Sequence, residues 1–137
     1  AVHQGFSPDA DRITERMVRA VKSGLIDIVA HPTGRVLLQR QPYGLHIEQL
    51  IEACAEEDVA LEINAAPDRL DLDDTHARFA VEQGCRLSIN TDSHEPGMLH
   101  NMRYGVFQAR RGWITAGDVI NTWPLSDFRA WIQRRRD

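Results

Sequence analysis

The sequence predicts an α/β fold in which βα units build a sheet of parallel strands. Short apolar runs typical of strands alternate with amphipathic stretches of about ten to fifteen residues, which is the pattern of βα units. Hydrophobic residues make up 42% of the 137-residue chain and charged residues 26%, enough for one packed core. Several strand-like runs also end in polar residues, as expected where a parallel sheet carries a site.

The first elements are a strand tail and a helix. Residues 1–3 are predicted to be the end of a strand. Residues 9–22 follow the helix-start signal Ser7-Pro8 and are predicted to be a helix, because apolar residues recur every four positions. This stripe consists of Ile13, Met17 and Val21.

The central part of the chain alternates strands with helices. The predicted strands are residues 26–30, 59–63 and 87–90. Residues 47–55 have the spacing of an amphipathic helix. A further helix from Asp74 to Gln83 should end at Gly84, which suits a left-handed cap.

The C-terminal part is predicted to be helical. Thr115 and Asp118 have the spacing of a capping box, and Pro124 should end the short helix that they open. The preceding helix should end at Gly112, and its stripe is Met98, Met102, Val106 and Ala109. The last amphipathic helix presents Leu125, Phe128, Trp131 and Ile132.

Polar residues share one predicted face of each strand, since successive strand side chains alternate. The three sets are Asp27, Val29 and His31; Ala60, Glu62 and Asn64; and Ser88, Asn90 and Asp92. Burying an unpaired polar group costs about 2–7 kcal/mol. Because three strands each carry polar residues near the same end, the sequence predicts a site at the carboxyl edge of the sheet.

The candidate metal ligands follow strand ends and are His3, His31, Asp92 and His94. Imidazole and carboxylate together suit Zn²⁺, Mn²⁺ or Fe²⁺ rather than Ca²⁺. Asp92 and His94 are also the predicted catalytic residues. The alternatives are a helix cap for Asp92 and a bond to its own backbone for His94, and His3 alone is a weak candidate.

Other polar residues near the predicted edge have supporting roles. Glu62 is interpreted as a residue that supports the ligands, with a metal ligand, a general base and a salt-bridge partner as alternatives. Asn64 is predicted to contact substrate. Arg35 and Arg69 are predicted to contact phosphate, with a structural ion pair as the alternative for each.

The net charge and the cysteine content narrow the classes of function that the sequence allows. A net charge of −4 argues against gripping nucleic acid by bulk charge. Arg110-Arg111 and residues 134–136 are interpreted as solvated helix ends, and Cys54 and Cys85 as reduced cysteines of a cytoplasmic protein. Surface positions on helices are expected for His46, His76 and His100. No window approaches about eighteen apolar residues, so no membrane partner is expected.

Three sequence blocks resemble the PHP (polymerase and histidinol phosphatase) domain. They are "DIVAHPTGR", "ALEINAAPDRLDL" and "INTDSHEPGMLHNMRYGVFQARRGW". Within this family the sequence resembles the PHP domain of bacterial family X DNA polymerases, over essentially the whole chain. The resemblance implies a distorted seven-stranded βα (TIM-like) barrel that binds up to three divalent metals, Mn²⁺ or Zn²⁺.

The resemblance also implies residue roles. His3 matches the histidine of the family's S-x-H block, although Ala1 stands where serine is usual, and His31 matches the A-H-P block. Asp92 and His94 match the D-x-H block. The family's opening H-x-H block is not in this sequence, so residues 1–137 are expected to be the C-terminal portion of one PHP domain.

The activity implied is metal-dependent phosphoester hydrolysis. In the polymerase branch it is a 3′–5′ exonuclease that processes DNA ends during repair, with polymerase and helix-hairpin-helix segments upstream. Two other functions stay open: a small-molecule phosphatase of the histidinol-phosphate type, and a non-catalytic scaffold that positions DNA.

Overall fold

The computed structural model describes residues 1–5 and 7–134, which form a parallel sheet covered by helices. The strands are β1 (Ile28–Val29), β2 (Ala60–Asn64) and β3 (Leu87–Asn90). The α-helices are α1 (Ala10–Val21), α2 (Ile47–Glu56), α3 (Asp74–Glu82), α4 (Met102–Arg111) and α5 (Leu125–Arg134). Short 3₁₀ helices cover Pro96–Asn101, Ala116–Asp118 and Ile120–Thr122.

The sheet has the strand order β1-β2-β3, and both neighbouring pairs are parallel. Val29 pairs with Leu61, and Leu61 pairs with Leu87, so these three side chains share one face. The predicted α/β class with parallel strands is confirmed. The described strands form an open sheet, and closure into a barrel stays a prediction.

The main core lies between this face and the helices. The predicted stripe of α1 is buried there, with Ile13 and Val21 at most 1% exposed. Gly105 of α4 approaches the sheet closely. A Cβ at this position would lie 2.5 Å from Ile89 Cγ2 and 2.8 Å from Ala65 Cβ. Only glycine therefore lets α4 pack at this distance.

A smaller core lies against the start of β2. Trp131 of α5 packs with Ala60 and Ile120 and is 1% exposed. Its indole Nε1 donates to the carbonyl oxygen of Asp58 at 3.2 Å. Because Ala60 and Leu61 point to opposite faces of the sheet, this smaller core lies on the face opposite the main core, and Leu125 and Phe128 of α5 line a cavity there with Ser88 and Asn90.

Helix ends follow the predicted signals closely. Gly84 adopts φ +92° just after α3, as predicted. The Thr115 and Asp118 capping box is present and opens a 3₁₀ helix. Two caps were not predicted: the Asp9 carboxylate accepts from Arg12 N at 3.2 Å, and the Asp73 carboxylate from His76 N at 2.9 Å.

Several predicted elements differ from the structure. Residues 1–3 are not a strand, because no described strand pairs with them; the Tyr43 hydroxyl instead donates to Val2 O at 2.9 Å. β1 has two residues, Ile28 and Val29, rather than the predicted 26–30, and beyond its C-terminal end His31 leaves the extended conformation with φ 32°. The segment beginning at Pro96 is a 3₁₀ helix, so α4 starts only at Met102.

The remaining predictions concern surface residues. His46 is the N-cap residue of α2, His100 lies in a 3₁₀ helix, and both are exposed. His76 lies on α3 but is half-buried against Asp73. Arg110 and Arg111 end α4 as predicted, and the arginines at 135 and 136 lie outside the described residues. Among residues 1–5 and 7–134, no helix combines the length and apolar character needed to cross a membrane.

Candidate functional site at the carboxyl edge of the sheet

His31 is buried where β1 ends, with 5% of its surface exposed. Its backbone N–H donates to Glu62 Oε2 at 2.6 Å, while its ring Nδ1 is buried without a hydrogen-bond partner. Strand alternation predicted that Val29 and His31 share the polar face. That prediction was wrong, because the register places Val29 on the helix-covered face with Leu61. The contact with Glu62 is made by the backbone N–H of His31, and His31 itself adopts a φ of 32°.

Glu62 connects all three strand ends. Its carboxylate accepts from His31 N at 2.6 Å, from Asn64 Nδ2 at 3.2 Å and from Asn90 Nδ2 at 2.9 Å. Glu62 is 4% exposed, and these bonds satisfy a carboxylate that would be costly to bury alone. Its contact with His31 is to the backbone N–H and not to the imidazole, and a supporting role for Glu62 stays a prediction.

Asp92 lies beside these groups. Its Oδ2 accepts from Asn64 Nδ2 at 3.2 Å and lies 3.7 Å from Arg69 Nε. Asp92 has φ 53°, so the chain turns sharply just after β3. Four of the predicted site residues are therefore brought together in one connected group: Glu62, Asn64, Arg69 and Asp92.

Arg35 holds the loop that carries Arg69. Its Nε donates to Arg69 O at 2.8 Å, its Nη2 donates to Leu70 O, and its Nη1 lies 3.6 Å from Asp73 Oδ2. All three guanidinium nitrogens of Arg35 therefore have protein partners. These contacts match the structural ion pair that was the alternative to phosphate binding.

Asp71 is a supporting residue that the sequence reasoning missed. It is fully buried, and its carboxylate accepts from Thr33 N at 3.1 Å and from Gly34 N at 2.9 Å. Burial raises the pKa of this carboxyl above its usual range. The available signal was an aspartate flanked by Leu70 and Leu72, but the surrounding segment is rich in charged residues and gave no reason to expect burial.

The remaining histidines lie at the margin of the group. The His3 ring makes an edge-to-face contact with the His31 ring, with centroids 5.2 Å apart. His94 is exposed, and its Nδ1 lies 2.7 Å from the Asp92 carbonyl oxygen. This local contact is the backbone bond that was the alternative for His94.

The donor set fits a cation only in part. Among the described residues, no three His, Cys, Asp or Glu side chains converge closely enough to hold a metal ion. The unpartnered Nδ1 of His31 is nevertheless the kind of buried nitrogen that a metal would satisfy. Burial lowers the pKa of His31, and the positive charge of Arg69 adds to the effect, which favours the neutral imidazole that binds metals. Within residues 1–5 and 7–134 the structure therefore shows a buried imidazole nitrogen without a hydrogen-bond partner, but no assembled metal-binding group.

Sequence comparisons find a DNA polymerase/exonuclease and several probable phosphatases that are similar to this chain. The chain is 42% identical over 134 residues to the DNA polymerase/3′-5′ exonuclease PolX of Bacillus subtilis (strain 168), covering 98% of this chain and 24% of PolX. The chain belongs to the PHP-type family that PolX represents. No protein-family model matches the chain.

The PHP-type assignment agrees with a second group of relatives. A probable phosphatase of Shewanella sp. (strain ANA-3) is 34% identical over 100 residues, which cover 67% of this chain and 37% of the phosphatase. A probable phosphatase of Aeromonas hydrophila is 28% identical over 106 residues. This PHP-type chain spans about a quarter of the length of PolX and less than two fifths of the Shewanella protein.

Proposed function

We propose that residues 1–137 are the C-terminal portion of a metal-dependent phosphoesterase domain that acts as a 3′–5′ exonuclease on DNA within a PolX-like DNA repair protein. Preceding βα units, with the polymerase and helix-hairpin-helix segments upstream, complete a distorted seven-stranded barrel in this proposal. The observation that carries it is the buried, unpartnered Nδ1 of His31 at the edge where Asp92, Asn64 and Arg69 meet. The similarity to PolX over nearly the whole chain supports the choice of DNA.

In this proposal His3, His31, Asp92 and His94 hold Mn²⁺ or Zn²⁺, up to three ions in the intact domain. Such ions polarise a phosphoester and supply a nucleophile at neutral pH. The hydrogen bond from His31 N to Glu62 fixes the backbone from which the His31 ring projects. The Asp92 carboxylate is held by Asn64 and lies beside Arg69.

The other polar side chains would receive the phosphate. Arg69 lies at the same edge as Asp92 and is the guanidinium best placed to meet an anionic oxygen. Asn64 supplies an amide donor within the group. A chain of net charge −4 needs such a local positive centre to attract DNA, and bound cations would add to it. In this proposal the protein acts on DNA in the cytoplasm.

The test uses the full-length parent protein with His31→Ala, Asp92→Ala and, as a matched control, His100→Ala. His100 is an exposed histidine outside the group. The first two variants should lose bound Mn²⁺ or Zn²⁺, measured by elemental analysis, and should no longer shorten DNA from its 3′ end. The control should keep both properties. Exonuclease activity near wild type in either His31→Ala or Asp92→Ala would refute the proposal.

A phosphatase acting on small phosphomonoesters is the second candidate, favoured by the similarity to probable phosphatases. The two candidates differ in preferred substrate. Faster turnover of a soluble phosphomonoester than of DNA ends would select the phosphatase. A purified intact domain that binds no transition metal and leaves both substrates intact would instead favour the scaffold.

A further inference from the structure

A cavity of about 410 Å³ opens beside the candidate site. It lies between the loop that follows β2 and the segment that follows β3. Its lining includes Pro67, Arg69, Asp92, His94, Met98 and Asn101. Its volume is within the range of roughly 300–1,000 Å³ that is common for small-molecule sites. The cavity therefore adjoins the group at which the phosphate is proposed to bind.

The walls of the cavity differ in chemistry. Ala66, Pro67 and Met98 give an apolar wall, while Arg69 and Asp92 stand together on the polar side with 3.7 Å between Nε and Oδ2. A ligand that fills this space thus has a polar end near Arg69, where Asp68 and Asp92 also line the cavity, and an apolar body near Met98 and Pro67.

Met98 is held in position at this wall. The His94 backbone N–H lies 3.4 Å from Met98 Sδ, and 38% of the Met98 residue surface is exposed. A polarizable thioether packs well against an aromatic ring. Asn101 is the residue before α4, and its side chain makes no capping hydrogen bond to that helix. Its amide group can therefore bind a ligand in the cavity. An amide offers both a donor and an acceptor to a heterocycle.

We propose that this cavity binds the base of the terminal nucleotide whose phosphoester is cleaved. This inference rests on the proposed function and specifies its substrate as a nucleotide end rather than a phosphoester without a base. Met98 contacts the face of the base, Asn101 meets its polar edge, and Arg69 lies towards the phosphate.

The experiment uses the full-length parent protein and two DNA substrates that differ in one group. One strand ends in an ordinary 3′ nucleotide, and the other ends in an abasic deoxyribose. Wild type should show a KM roughly three- to tenfold lower for the base-bearing end. Met98→Ala should remove most of this preference, and Met98→Leu, which keeps the apolar wall, should restore much of it. Met102→Ala is the matched control, since Met102 is also 38% exposed but does not line the cavity.

A binding measurement accompanies the kinetics. Calorimetric titration should show wild type binding a deoxynucleoside 5′-monophosphate more tightly than deoxyribose 5-phosphate, with Met98→Ala losing the difference. Equal KM values for the two DNA ends in wild type would overturn this inference and leave the exonuclease intact. Equal losses on both ends in Met98→Ala would show a structural role and also overturn it. Failure of wild type to cleave either end would overturn the proposed function itself.

Discussion

The backbone N–H of His31 donates to Glu62 Oε2 at 2.6 Å, and the two residues are 31 positions apart in the chain. This bond joins the end of β1 to the middle of the carboxyl edge. Glu62 also accepts from the amides of Asn64 and Asn90, so one buried carboxylate aligns three strand ends. The candidate site therefore depends on Glu62 for its shape.

Glu62→Gln tests this dependence. The amide keeps the size of the side chain but replaces one accepting oxygen by a donor that faces other donors. We expect the free energy of unfolding to fall by about 1.5–3 kcal/mol, as for loss of a hydrogen bond to a charged group. Chemical denaturation measures the change. Glu52→Gln, at an exposed position of α2, is the control and should stay within about 0.5 kcal/mol of wild type.

Gly105→Ala tests the packing of α4 on the sheet. Alanine favours a helix interior over glycine by about 1 kcal/mol, but its Cβ would lie 2.5 Å from Ile89 Cγ2. Overpacking of this kind costs about 1–3 kcal/mol, so we expect a net loss of stability in thermal unfolding. Gly117→Ala is the control, because its nearest neighbour is Thr115 Oγ1 at 3.7 Å. Equal stability of the two variants would contradict the close approach of α4.

The Asp73 and His76 pair makes stability depend on pH. The hydrogen bond to Asp73 raises the pKa of His76 above 6.5. Burial raises the pKa of Asp73, but the hydrogen bonds from His76 outweigh it and the net pKa is lowered. A histidine with a raised pKa stabilises the fold fully below about pH 6.5, and this contribution is lost as the pH rises through the folded-state pKa.

Asp73→Ser separates this pairing from the helix cap. Serine keeps an N-cap acceptor for His76 N but removes the carboxylate. The pKa of His76, followed by NMR, should fall towards 6.5, and the loss of stability above that pH should diminish. Asp74→Ser is the control, since Asp74 pairs with Arg111 at 3.1 Å. An unchanged His76 pKa in Asp73→Ser would disprove the pairing.

The cysteines should resist modification in the folded protein. Burial chiefly, with the negative charge of Asp58, raises the pKa of Cys85 to about 12, and Cys54 is fully buried. The thiolate is the reactive form, so alkylation at pH 8 should be slow until denaturant is added, when two thiols react. A Ser126→Cys variant provides an exposed thiol for comparison. Rapid native alkylation of both natural cysteines would contradict their burial.

Periodicity predicted α1 and the sheet because it records burial along a single element, whereas the predicted α4 stripe is largely exposed, with Met98, Met102 and Val106 at 38–40%. The α1 stripe and the parallel β2 and β3 strands follow directly from spacing. The same reasoning brought Glu62, Asn64 and Asp92 to one edge, where the structure connects them.

Contacts between distant loops could not be predicted in this way. Arg35 bonds to carbonyls 34 and 35 residues away, and Asp71 bonds to amides 37 and 38 residues away. No local pattern encodes those partners. His31 lies at the predicted edge, but the argument from strand alternation was wrong, because Val29 lies on the helix-covered face.

His31 and Asp92 adopt a left-handed backbone conformation, which costs conformational free energy at two positions of the candidate site. A residue with a side chain incurs about 1–2 kcal/mol in that conformation, whereas glycine adopts it freely. A sequence selected only for a stable fold would therefore have glycine at both positions, and it would lack the imidazole and the carboxylate. At both positions the chain has the residue that lowers the stability of the backbone conformation and supplies a functional group.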